Sequence, residues 1–83
     1  MQISIKEVLR DLKTQKKIAN RKVDECIKKL EELVADLKKY REPDGAAHVS
    51  CMATTVVGYL SEIQALDSSI EYYESIQEMN KED

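Results

Sequence analysis

Phenylalanine and tryptophan are absent from this 83-residue chain, glycine occurs twice and proline once. That scarcity points away from sheets and from disorder, toward long solvated helices. Cysteine is also scarce. Cys26 and Cys51 form no Cys-x-x-Cys pair and offer no disulfide framework. No apolar run approaches the roughly 18–20 residues that span a bilayer. Acidic residues and lysines interrupt every candidate core of a signal peptide. A reducing, cytoplasmic setting with no membrane contact is the expectation.

Charge is what the chain has in abundance, at 35% of residues with a net value of −3. It is unevenly spread. Residues 1–45 carry twelve basic and nine acidic side chains, a balance of +3, whereas residues 46–83 carry Lys81 against seven acids, a balance of −6. A basic half can suggest nucleic acid or a membrane surface. With an acidic half in the same chain, mutual neutralisation is the simpler expectation.

Within the charged background runs a narrow apolar stripe. Leu9, Val23, Leu30 and Leu37 recur every seven residues, as do Ile5, Leu12, Ala19, Cys26, Leu33 and Tyr40. These are the a and d positions of a heptad, broken only by Lys16 at an a position. A second series continues it, with Val49, Val56, Ile63 and Ile70 alternating with Met52, Tyr59, Leu66 and Tyr73. This series passes through Thr54-Thr55-Val56-Val57-Gly58, whose local preference is for strand. Tertiary pattern should prevail there, with Gly58 costing about 1 kcal/mol relative to alanine.

The boundaries follow from capping chemistry. Ser4 and Glu7 make an S-x-x-E capping box, with Ile3 and Val8 placed as a hydrophobic staple. Pro43 disfavours helix at Glu42, and Pro43-Asp44-Gly45 reads as a turn. The expectation is one all-α domain over residues 1–83, with helices over 4–41 and 47–79 and a turn over 42–46. A short turn between long helices gives an antiparallel coiled-coil hairpin. Centring it on Asp44–Gly45 pairs Leu37 with Met52, Leu30 with Tyr59, Val23 with Leu66 and Lys16 with Tyr73. Lys13 then faces Glu74, Lys29 faces Glu62, and the two chain ends meet.

Two helices bury little, and the sequence shows where more burial is needed. In that register Ile27 faces Leu60 and Val34 faces Ala53, at e positions that normally carry charge. Val57 extends this surface, and no Asp, Glu, Lys or Arg occurs from Ala46 to Ser61. Ile27, Val34, Ala53, Val57 and Leu60 are therefore the expected self-association surface, pairing two hairpins as a homodimeric four-helix bundle.

Candidate chemistry is thin. His48-x-x-Cys51 has metal-ligand residue types, but in the expected register Cys26 lies about 18 Å along the helix from Cys51. Cys26 suits the core, and Cys51 a half-buried position. Glu31, Glu32 and Asp36, or Glu71, Glu74 and Glu78, could suggest the carboxylate clusters of all-α metal-dependent pyrophosphohydrolases. Glu31 and Glu32 fall on the solvated b and c positions, however, and no histidine lies within reach of a motif-like serine or cysteine. No catalytic residue, metal or cofactor is expected. Arg10, Lys13, Lys17, Arg21 and Lys22, with Lys16, form the densest basic cluster and a candidate anion-binding stripe. Asp11, Asp24 and Glu25 interrupt that cluster. Tyr72 and Tyr73 are placed to plug the weak layer at Lys16 through cation–π contact.

The reading is a non-enzymatic protein–protein interaction module, a hairpin that binds itself and a further, unidentified protein. The alternative is a small binder of nucleic acid or anionic nucleotide using the basic stretch of the first helix.

Overall fold

A computed structural model of the chain describes residues 4–81. Two α-helices, α1 (Ile5–Tyr40) and α2 (Pro43–Lys81), pack against each other as an all-α hairpin. The molecule is a rod of 64 × 20 × 16 Å. Among the described residues there is no strand.

The start of α1 follows the capping rule. The Glu7 amide donates to Ser4 Oγ at 3.2 Å and the Val8 amide to the Ser4 carbonyl at 3.1 Å. The first bond is the cap proper, satisfying an amide with no intrahelical partner, and the second is the first turn of the helical ladder. The Ile3 half of the expected staple lies outside the described residues, as does the expected meeting of Asp83 with Lys6. Within α2, Thr54 and Thr55 donate their hydroxyls to the Ser50 and Cys51 carbonyls, at 3.1 and 3.2 Å. Back-bonding to the residue four earlier lets these strand-favouring side chains sit in a helix.

The seam is the heptad stripe. In α1 the half-buried and buried positions from Leu9 to Leu37 are all a or d, and Lys16 is among them. In α2 the series from Val49 to Tyr73 is covered in the same way. Buried side chains are fewer: Leu9, Ala19, Val23, Leu66 and Ile70. All five lie away from the turn.

The turn is shorter than expected, and this moves the register. Arg41 takes the left-handed conformation (φ 49°, ψ 46°), and its amide donates to the Leu37 carbonyl at 2.9 Å, closing α1. Pro43 opens α2 instead of lying in a loop. Proline suits a first helical position, where its missing N–H would be unpaired anyway and its fixed φ is already helical. The connection is thus only Arg41 and Glu42, and α2 begins four residues before the expected start.

Cross-helix contacts follow the shorter turn. A Cβ added to Gly45 would lie 3.3 Å from Leu37 Cδ1, so Gly45 is a seam position beneath Leu37. Lys16 pairs with Asp67, and the Lys22 ammonium stands 5.6 Å from the centre of the Tyr59 ring. The helices are therefore displaced by about one heptad from the expected pairing, and Lys16 does not meet Tyr73. Lys13 does reach Glu74, at 3.9 Å, through two long and half-exposed side chains. Lys29 pairs within its own helix with Glu32, at 3.8 Å, instead of with Glu62. Tyr40, expected in the seam, is exposed because it sits level with the turn, where α2 offers nothing to pack on.

Candidate interaction surface

The positions flanking the seam fall on two long sides of the rod, and the sides differ in chemistry. One carries the e and neighbouring b positions of both helices. Near the turn this side is apolar. Ile27 and Val34 of α1 are 42% and 37% exposed, and Val57 and Leu60 of α2 are 61% and 50% exposed. Ala53 lies exposed between them. These are ordinary core residues by type, and their exposure on one side makes a contiguous patch.

The shifted register rearranges the patch without dispersing it. Val34 lines a groove with Ala46 and Pro43 rather than facing Ala53. Ile27 comes level with Ala53, and Leu60 moves along the rod to the level of Asn20. Ala46 is thus an addition that the sequence reading missed. Placing Pro43 at the first position of α2 was the available signal.

Coverage of the seam is thinnest beside this patch. Between Val23 and Leu66 no side chain is buried, although Leu30, Leu33, Leu37, Val49 and Val56 all lie in the seam. The apolar side and the under-covered seam occupy the same half of the molecule.

Farther from the turn the same side becomes charged. Lys6, Arg10, Lys13 and Lys17 line a groove with Leu9 and Gln77. Arg10, Lys13 and Lys17 of the candidate anion-binding set therefore come together, and Lys6 joins them. Lys22 lies at a g position on the opposite side, over the Tyr59 ring, and Arg21 points away from the seam into solvent. Glu74 and Asp67 already engage Lys13 and Lys16. The basic set is thus split, and partly neutralised within the chain.

The remaining candidates are placed as follows. Tyr72 and Tyr73 pack edge to face, with ring centres 5.2 Å apart and planes at 80°. They plug nothing at Lys16, whose ammonium is held by Asp67. Cys26 is half-buried in the seam, and Cys51 is a free thiol, exposed rather than half-buried. The shorter turn brings them within about five residues along the axis, roughly 8 Å. They nevertheless lie on different faces. His48, Glu31, Glu32 and Asp36 are exposed. Among the described residues no three His, Cys, Asp or Glu side chains converge as a metal site would require. No helix among the described residues is long and apolar enough to cross a membrane.

The fold and surface define an all-α helical hairpin with an exposed apolar patch on its e and b side near the turn. Comparisons with protein-family models, curated proteins and solved structures return no match.

Proposed function

We propose that this protein is a self-associating interaction module whose working surface is the e and b side near the turn. One observation carries the reading. Between Val23 and Leu66 the seam has no buried side chain, while Ile27, Val34, Val57 and Leu60 stand exposed beside it. A second hairpin on that side would cover both the patch and the seam beneath it. It would turn a two-helix layer into a four-helix core. Burial there is worth about 25 cal/mol per Å² of apolar surface. No catalytic role enters this proposal, and a further protein would dock on the charged outer faces of the assembly.

The alternative, an anion or nucleic-acid binder, draws support from the groove of Lys6, Arg10, Lys13 and Lys17. Lys13 and Lys16 are already paired, and Asp67 and Glu74 lie beside the groove. A polyanion would have to displace or tolerate both carboxylates.

The test is the dependence of melting temperature on protein concentration. Mass action requires a folded oligomer to melt higher as its concentration rises. Wild-type protein should show that rise. Val57→Glu should abolish it while leaving helical circular dichroism at low temperature, because a carboxylate buried without a partner opposes association. A melting temperature independent of concentration in the wild type would overturn the reading.

A further inference from the structure

The reading of the chain as a self-associating hairpin leaves the orientation of the two copies open. Charge on the e and b side decides it. Away from the turn α1 presents Arg10, Lys13 and Lys17 on that side, and α2 presents Asp67, Glu71, Glu74 and Glu78. Lys13 and Asp67 have partners within the hairpin, in Glu74 and Lys16. Arg10, Lys17 and Glu71 are exposed and enter no ion pair with another described side chain.

We infer that the occupant of this face is a second copy with its turn at the same end, related by a twofold axis along the rod. That axis lays α1 of one copy over α2 of the other. Arg10 then lies level with the acidic b residue Glu71 of the second copy, and Lys17 with the uncharged Gln64, while the apolar halves cover each other. Asp24 and Glu31, the acidic b residues of α1, fall opposite Val57 and Ser50, which carry no charge. The other twofold arrangement puts the turns at opposite ends and lays α1 against α1 about Ile27. It would set Asp24 against Glu31 and Lys17 against Lys38. Complementary charge selects the first arrangement and like charge disfavours the second.

The inference rests on the proposed self-association, and the experiment separates the two. Spin labels at Glu42→Cys, in a chain also carrying Cys26→Ala and Cys51→Ser, report the distance between the two turns. Turns at one end place the labels roughly 15–25 Å apart, a few helix diameters at most. Turns at opposite ends, with Ile27 at the centre, place them about 45 Å apart. The short distance is expected. The long distance would overturn the orientation and leave self-association standing, and a monomer would overturn both.

Charge reversal keeps the native cysteines and gives a second readout if the labelled chain loses its helices. Arg10→Glu or Glu71→Lys should each weaken the dimer several-fold at low salt. Mixing the two variants should restore wild-type affinity. Tighter or unchanged association of the Arg10→Glu chain would contradict the arrangement.

Discussion

The Lys16 ammonium crosses from the seam of α1 to the Asp67 carboxylate of α2, with both side chains about two-fifths exposed. Lys16 is the one charged residue at an a or d position of α1, and its long stem allows the charge to leave the seam. Replacing it with leucine should stabilise the hairpin by about 1–2 kcal/mol through added apolar burial. Asp67→Ala alone should cost under ~1 kcal/mol, as half-exposed pairs do. In the Lys16→Leu background that cost should vanish. Denaturant melts of the four chains measure the coupling. Strictly additive effects would mean that the pair contributes nothing.

Glu74→Lys should weaken the hairpin by well under ~1 kcal/mol, because Lys13 and Glu74 approach only to 3.9 Å and are more than half exposed. The loss should shrink at 1 M salt, where the screening length is near ~3 Å. Thermal melts at low and high salt make the comparison. A loss that persists undiminished in high salt would point to packing instead of charge.

Gly58 lies inside α2 with nothing within 4 Å of where a Cβ would stand. Gly58→Ala should therefore raise stability by about 1 kcal/mol, the helix-propensity difference. For a domain of this size that corresponds to roughly 4–8 °C. Gly45→Ala should gain less, since its Cβ would press on Leu37 at 3.3 Å. Equal gains at the two sites would show that Leu37 does not crowd Gly45.

Arg41 is the one non-glycine residue with positive φ among those described. A left-handed residue bearing a Cβ is strained by about 1–2 kcal/mol. Glycine removes that strain but adds unfolded-state entropy worth roughly 0.5–1 kcal/mol. Arg41→Gly should thus stabilise by up to about 1 kcal/mol, and Arg41→Val should destabilise. Chemical denaturation of both variants checks the sign.

Much of this architecture was legible in the sequence, for identifiable reasons. Seam membership depends only on heptad phase, so Leu9, Val23, Leu66 and Ile70 could be assigned without knowing what they face. The same phase places Ile27, Val34, Val57 and Leu60 outside the seam. Register was different. Sliding one helix by seven residues leaves every a opposite a d, so the apolar pattern cannot distinguish Leu37 over Met52 from Leu37 over Gly45. The decision lies in two residues. Arg41 accepts a left-handed conformation that its type disfavours, and Pro43 starts a helix that its position after a charged run seemed to end. The basic cluster is not one stripe, because heptad phase sets Lys22 at a g position on the other side of the rod, where its ammonium stands over the Tyr59 ring.

The most direct test of the account is the mass of the protein in solution, measured by light scattering over a wide concentration range. The prediction is a species of at least twice the 9.5 kDa chain mass at high concentration. It should dissociate on dilution or on Val57→Glu substitution, with helical content retained where the variant is concentrated. A well-folded wild-type species of single-chain mass at every concentration would contradict the central claim. The apolar side near the turn would then be a free surface on a stable monomer.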